Sequence, residues 1–285
     1  MFIQNESLPP LREVIARHKL TARKSLGQHF LLDLNLTRRI VEAANIVDGV
    51  TVVEIGAGPG GLTRALLESP ASRVIAIEPD IRALDALYEL VQVSGNRLTL
   101  IEGSALKMNI VGLVSSPAQM VANLPYNIAT KLLLECLPQV TAFKRLTLTF
   151  QKEVAERIVA RPGTKFYGRL SVIVQWLCEA RILFHIPARA FTPMPKVVSS
   201  VVDILPRPRP LDVARMGSLE RVTAAAFGQR RKMLRSSLKQ LCPDTLKLLK
   251  VAGVSQTVRA EEVSVEGFCS LSRALDVLIG LRAID

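Results

Sequence analysis

Short runs of consecutive apolar, often β-branched residues recur along this chain between longer stretches in which apolar positions return every three or four residues. The runs fall at residues 51–55, 73–78, 97–101, 119–122, 145–150, 181–186 and 197–204, and the helix-period stretches at 36–44, 61–68, 81–93, 128–137, 152–160 and 170–179. A strand buried on both faces needs near-continuous apolar character. Its alternation with helices therefore predicts a doubly wound, Rossmann-like α/β fold with a seven-stranded, mostly parallel sheet. Only about ten residues, including Pro187 and Pro193, separate the last two runs. That is too little for a helix-bearing crossover, so an antiparallel edge strand is expected there.

The segment Pro206-Arg207-Pro208-Arg209-Pro210 can continue neither element and reads as a stiff, extended break. It divides the chain into a domain over residues 1–205 and a smaller one over 206–285. Beyond it the apolar spacing is helical at 219–227, 230–241, 244–251 and 265–279, which predicts an all-helical second domain.

With 285 residues and 49% hydrophobic side chains, the chain has enough apolar surface for such a core. No apolar run reaches the roughly 18 residues needed to span a bilayer. The first residues, with Asn5, Glu6, Pro9 and Pro10, do not make the apolar core of a signal peptide. A cytoplasmic protein without a membrane partner is expected. Cys136, Cys178, Cys242 and Cys269 lack the paired spacing of a zinc site, and His18, His29 and His185 are as scattered. Reduced, buried thiols and no metal are the expectation.

Charge adds a partner. Thirty-seven Lys and Arg against 25 Asp and Glu give a net charge of +12, which favours a polyanion. Residues 205–285 carry 14 basic and 8 acidic side chains, so half of the excess sits in the small C-terminal part. Within it, Arg230, Arg231, Lys232, Arg235 and Lys239 recur at three- or four-residue spacing along the helix predicted at 230–241, a basic stripe suited to RNA phosphates. A second basic cluster, Arg12, Arg17, Lys19, Arg23 and Lys24, has the character of an arm that orders when its ligands bind.

Two motifs carry candidate chemistry. Val52-Val53-Glu54-Ile55-Gly56-Ala57-Gly58-Pro59-Gly60-Gly61 is a strand entering a glycine-rich turn that opens a helix, and Glu78 closes the next strand about twenty residues on. Glycines let the main chain approach a ligand, and a carboxylate at that distance can accept both hydroxyls of a ribose. The spacing fits NAD as well as other adenosine-bearing cofactors. What shifts the choice toward S-adenosylmethionine is Asn123-Leu124-Pro125-Tyr126 at the end of the fourth run. There an aromatic beside a Pro-rigidified loop can stack on a flat heterocycle, while an amide oxygen and main-chain carbonyls accept hydrogens from an exocyclic amine. Ligands of this fold sit outside the carboxyl ends of the strands, so turn, acid and loop should meet in one cleft.

With these residues the chain resembles the ribosomal RNA adenine N6-dimethyltransferase family, most closely its small-subunit members. The segments that carry the resemblance are Ser25-Leu26-Gly27-Gln28-His29-Phe30-Leu31, the turn from Glu54 to Gly60, Asn123 to Tyr126, Phe191-Thr192-Pro193-Met194-Pro195-Lys196-Val197 and Phe227-Gly228-Gln229-Arg230-Arg231-Lys232-Met233-Leu234-Arg235. It implies a class I methyltransferase domain using S-adenosylmethionine, with adjacent adenines near the 3′ end of 16S rRNA dimethylated in an immature small ribosomal subunit. By the same resemblance His29 and Leu31 touch the cofactor, Gly56 lies against its methionyl part, Gly58 belongs to the same cofactor-binding turn, and Glu78 holds its ribose. Residue 104 meets its adenine, and Asn123 faces the transferable methyl. Asn123 with the Leu124 or Pro125 carbonyl would hold the target amine, while Tyr126 and Phe191 would sandwich the flipped-out base. Two positions depart from the family: His29 stands where Asn is usual, and Ser104 where Asp is usual, which removes a charge-assisted bond and predicts weaker cofactor binding. A monomer is the default. The competing expectations are a large-subunit (23S) enzyme of the antibiotic-resistance type and a non-catalytic assembly or transcription factor on the same fold.

Overall fold

The structure, a computed structural model, describes residues 8–23, 26–114 and 118–281. Lys24 of the N-terminal basic cluster and Ser25 lie outside the described residues. In chain order the elements are α1 (Leu11–Arg17), β1 (Phe30–Leu31), α2 (Leu34–Ala43), β2 (Thr51–Ile55), α3 (Gly61–Glu68), β3 (Arg73–Glu78), α4 (Ile81–Val93), β4 (Leu98–Glu102), β5 (Ala118–Ala122), α5 (Tyr126–Cys136), β6 (Phe143–Gln151), α6 (Lys152–Val159), α7 (Arg169–Leu177), β7 (Cys178–Ile186), β8 (Phe191–Thr192) and β9 (Ser199–Pro206). Then follow α8 (Met216–Gly228), α9 (Leu234–Ser237), α10 (Thr245–Ala252) and α11 (Val265–Leu278).

Seven strands form one sheet in the order β4-β3-β2-β5-β6-β9-β7. From β4 to β6 all neighbours are parallel, and β9 runs antiparallel to β6 with Leu146 opposite Ile204 and Gln151 opposite Ser199. The expected antiparallel strand is present, but it lies inside the sheet and β7 takes the edge. Burial follows position. β5 is buried at every residue, whereas β4 at the other edge keeps four of its five residues partly or fully exposed. That is why the central strands read as unbroken apolar runs and the edges do not.

Local chemistry sets the helix boundaries. Asp33 accepts the Asn35 N–H at 2.9 Å to start α2, and Asp80 accepts from Arg82 to start α4. The expected strand at 97–101 begins one residue later because Arg97 reaches instead to the end of α3. There its guanidinium donates to the carbonyls of Leu67, in the last turn, and of Ser69 and Ala71 just beyond it, at 2.8, 2.9 and 2.6 Å. The N-terminal stretch also packs down. Leu11, Val14 and Leu20 are buried, and Arg17 and His18 both meet Glu89 on α4, at 3.1 and 2.7 Å.

By contacts the chain separates into a unit of Met1–Ala155 with Arg181–Pro206 and a unit of Glu156–Ala180 with Arg207–Asp285. One division follows Pro206, inside the Pro-Arg repeat, and residues 156–180 belong to the second unit. In that unit α7 packs on α8 and α11, and Trp176 donates to the Asp212 carbonyl at 2.8 Å. Tyr167, Phe227 and Phe268 form an aromatic cluster with ring centroids 6.0 and 5.4 Å apart. All four cysteines are buried and unbridged. None of the described helices is long and apolar enough to cross a membrane.

The helix expected at 230–241 is corrected. α8 stops at Gly228, the Lys232 N–H closes a turn onto Gln229, and only Leu234–Ser237 is α-helical. The main chain at 233–234 is taken by an extended pairing with 258–259, through a Met233–Arg259 bridge and a Leu234 N–H to Val258 carbonyl bond of 2.9 Å. A long-range pairing of this kind overrides local periodicity.

Gly60, which caps α3 with φ of +87°, offers a direct test of the packing beneath the cleft. A Cβ there would lie 2.7 Å from the Leu90 Cδ1 atom. Left-handed backbone costs an L-residue roughly 1–2 kcal/mol and overpacking about 1–3, so Gly60→Ala is expected to lower stability by about 2–5 kcal/mol in urea denaturation.

Candidate active site

Strands β2, β3 and β4 grow in one direction across the sheet, and β5 then starts on the other side of β2. At this switch the loops leaving β2 and β5 diverge and open a crevice at the strand ends. A cleft of about 350 Å³ occupies it.

The β2 turn forms one wall. Gly56, Gly58 and Gly60 all have positive φ, at +74°, +53° and +87°. The Gly56 N–H bonds the Ile77 carbonyl at 2.8 Å, which ties the turn to β3. The Gly58 N–H then donates to Glu78 Oε2 at 2.7 Å, and the Asp80 N–H to Glu78 Oε1 at 2.8 Å. Each carboxylate oxygen keeps a further lone pair for a ligand. Burial raises the Glu78 carboxyl above its ordinary value, and the two main-chain bonds oppose that shift. The turn is enclosed from both sides: a Cβ on Gly58 would meet the Phe30 ring at 3.5 Å, and one on Gly56 the Pro125 ring at 3.7 Å.

The β5 loop forms the facing wall. Leu124 is buried, Pro125 precedes α5 with φ of −56°, and Tyr126 is the first residue of that helix. The Pro125 carbonyl is already bonded by the Ile128 and Ala129 N–H groups, both at 3.1 Å, so the helix occupies one of the two carbonyls offered from sequence for an amine. The Tyr126 hydroxyl lies 2.6 Å from Ser199 Oγ, and burial raises its pKa, the Ser199 bond opposing.

A two-residue ladder closes the front. β1 pairs antiparallel with β8, with Phe30 opposite Thr192 and Leu31 opposite Phe191. Phe191 and Leu31 are only 3% and 5% exposed and belong to the sheet core as well as to the cleft lining. Phe191 thus presents an edge of the core to the cleft rather than a free ring. The His29 imidazole stacks on Tyr126 with centroids 5.7 Å apart and hydrogen-bonds the Pro193 carbonyl through Nδ1 at 2.6 Å. Ser104 follows β4 beside Gly103, whose N–H bonds the Glu78 carbonyl at 3.0 Å. His29, Leu31, Gly56, Gly58, Glu78, Ser104, Asn123, Leu124, Pro125, Tyr126 and Phe191 therefore all line the one cleft.

Sequence reading passed over Glu54, quoted only as part of a strand. Its side chain reaches the cleft lining at 1% exposure, and neither carboxyl oxygen has a hydrogen-bond partner among the described residues. Burial pushes this carboxyl up to about 8, the Glu78 charge adds to the shift, and only the Thr63 hydroxyl opposes it. The signal was available: one acid inside an apolar, doubly buried strand is the exception that asks for a partner.

The basic residues of the second unit behave differently from one another. Arg230 is committed internally, to Glu261 Oε2 at 2.8 Å and to the Thr164 carbonyl at 3.2 Å. Arg231, Lys232, Arg235 and Lys239 are exposed, and the last two line a depression of about 370 Å³ beside the start of α10.

Because the folded state holds the Glu54 proton from the ordinary 4.5 up to about 8, its contribution to stability is full below 4.5 and is lost as pH rises through that window. At about 1.4 kcal/mol per pH unit the loss amounts to several kcal/mol. Urea midpoints taken from pH 5 to 8 without cofactor should fall less steeply for Glu54→Gln than for the wild-type protein; parallel curves would contradict the assignment.

The geometry has counterparts among known proteins. Residues 19–276 match the model of the ribosomal RNA adenine dimethylase family. The ribosomal RNA small subunit methyltransferase A of Rhodospirillum rubrum is 60% identical over 271 residues, covering 95% of this chain and 94% of that protein. Among solved structures, a dimethyladenosine transferase from Plasmodium falciparum superposes with a TM-score of 0.76 at 26% identity, over 89% of this chain and 99% of the other. The 23S rRNA methyltransferase ErmE superposes at 0.66 and 25%, over 87% and 99%. Matched along nearly its whole length, the chain belongs to the ribosomal RNA adenine dimethylase family.

Proposed function

We propose that this protein transfers methyl groups from S-adenosylmethionine to the N6 atoms of adenines in small-subunit ribosomal RNA, giving N6,N6-dimethyladenine. The observation that carries the reading is the meeting of the Glu78-held glycine turn and the Asn123–Tyr126 loop in one cleft. The choice of subunit rests on the 60% identity to a protein named for the small subunit, against 25% to the 23S enzyme. An assembly factor without catalysis has no use for an intact amine-binding loop. Adjacent adenines near the 3′ end of 16S rRNA, an immature subunit as substrate and a monomeric enzyme complete the proposal.

The cleft fits this cofactor. It is a cation with a ribose diol and an adenine, and the lining holds two carboxyls, one of them without a hydrogen-bond partner among the described residues. When bound, S-adenosylmethionine supplies an electrophilic methyl on a sulfonium sulfur. Glu78 would accept the ribose hydroxyls through its remaining lone pairs, Gly56 and Gly58 would admit the methionyl part against the main chain, and a cation bound beside Glu54 would favour loss of the proton that its carboxyl otherwise holds up to about 8. Leu31 closes the apolar side, and Ser104 meets the adenine.

The target amine needs orientation more than a base, because its lone pair is delocalised into the purine. The Asn123 side-chain oxygen and the Leu124 carbonyl would accept its two hydrogens, drawing nitrogen toward tetrahedral geometry with the lone pair aimed into the cleft. The Leu124 carbonyl takes this role over Pro125, whose oxygen is spent on α5. Tyr126 stacks on the flipped-out base, worth roughly 1–3 kcal/mol, and Phe191 bounds the base pocket from the core. Arg231, Lys232, Arg235 and Lys239 would bind RNA phosphates, while Arg230 braces the turn that presents them.

Asn123→Ala is expected to lower kcat about 10²–10³-fold, the scale for losing one preorganised hydrogen bond in the transition state. Cofactor affinity by calorimetry should stay within a few-fold. Labelled methyl transfer to immature small subunits reads the rate, and an undiminished rate in this variant would sink the mechanism. Ser104→Asp restores a charge-assisted bond to the cofactor's adenine amine, worth about 1 kcal/mol more than a neutral one. S-adenosylmethionine should then bind about fivefold more tightly.

A further inference from the structure

Among the described residues of the N-terminal segment, His29 is the one titratable residue that lines the cleft, and its imidazole contacts lie on the base side. Its Nδ1 atom is 2.6 Å from the Pro193 carbonyl oxygen. A carbonyl only accepts, so Nδ1 carries the proton and the ring plane is fixed by that bond. The ring stacks on Tyr126 with centroids 5.7 Å apart and planes inclined by 29°. Tyr126 is held at its other end by Ser199 at 2.6 Å. The main chain beside His29 is fixed as well, since Phe30 and Leu31 pair with Thr192 and Phe191. By contrast, it is the next residue, Phe30, whose ring faces the glycine turn at Gly58.

We infer that the His29 side chain is a positioning residue for the target adenine: it backs one face of Tyr126 and links that ring to the Pro193 loop, leaving the other face for the base. This deepens the dimethyltransferase reading and rests on it. It also separates two roles within one segment, with the cofactor left to the backbone of residues 29–31 and the base to the imidazole. A Tyr ring at the first turn of a helix, anchored at its hydroxyl, can tilt about that anchor. Stacking from behind removes the freedom, and displacement of a reacting group by about 1 Å costs on the order of 10²-fold in rate.

The test uses the full chain, immature small subunits and saturating S-adenosylmethionine. His29→Ala should lower kcat about tenfold, with the Kd for S-adenosylmethionine, read by calorimetry, within about twofold of wild type. His29→Phe keeps a ring without the donor and should recover part of the rate. His29→Asn keeps a donor without the ring and should recover less. Cofactor binding by each variant shows at the same time that the fold is intact. Weakened cofactor binding with kcat unchanged would overturn the inference, because the ring would then serve the cofactor. So would an unchanged or raised kcat/KM for the subunit in His29→Ala, which would make the ring a bystander or an occupant of the base's place. Failure of the wild-type protein to transfer any methyl would bring down the parent reading and this inference together. Transfer by wild type with an unaltered Ala variant would bring down this inference alone.

Discussion

The carboxylate of Glu78, gripped by the main-chain N–H groups of Gly58 and Asp80, is the constraint on which the cleft depends. Taking a carboxyl out of water to 3% exposure is costly unless hydrogen bonds compensate, and here both oxygens receive one. The compensation fixes shape as well as energy. To present its N–H to β3, the chain after β2 must bend back through residues with positive φ, which only glycine accepts without strain. That bend keeps side chains out of the space above β2, and the main chain becomes a surface that a ligand can approach. The switch in strand order between β2 and β5 then sets the Asn123–Tyr126 loop across from it.

Much of this architecture is legible in the sequence, for a physical reason. A parallel sheet covered on both faces demands apolar residues at every position of its central strands, so β2, β3 and β5 stand out as runs, and the helices between them as periodic stretches. What escapes is non-local. The β1–β8 ladder is two residues long and joins segments some 160 positions apart, so neither carries a pattern of its own. Residues 156–180 interrupt the sheet strands in sequence, between β6 and the body of β7, but belong to the helical unit, with Val172, Ile173 and Trp176 buried. Around Met233 a backbone pairing with Arg259 replaces the helix that the apolar spacing suggested, and Arg230 turns inward to Glu261 for the same reason: the partners lie about thirty residues away.

The cleft shows a similar division. Residue types chosen for their chemistry, from Glu78 to Tyr126, converge as the motifs implied. Their detailed duties depend on hydrogen bonds that spacing cannot reveal. The Pro125 carbonyl is spent on capping α5, Phe191 is sunk into the core, and His29 faces Tyr126 and Pro193. Glu54 is the opposite case, a residue visible as an anomaly in the strand pattern whose meaning appears only when its two oxygens are found, among the described residues, without a hydrogen-bond partner beside the cleft.

The central claim is that this cleft dimethylates adenine in small-subunit RNA. Its most direct test is to incubate the wild-type protein with labelled S-adenosylmethionine and unmodified small and large ribosomal subunits, then map the methylated nucleosides by mass. The account predicts N6,N6-dimethyladenine in the small-subunit RNA and none in the large; label confined to the large subunit, or absent from both while the protein still binds RNA, would contradict it.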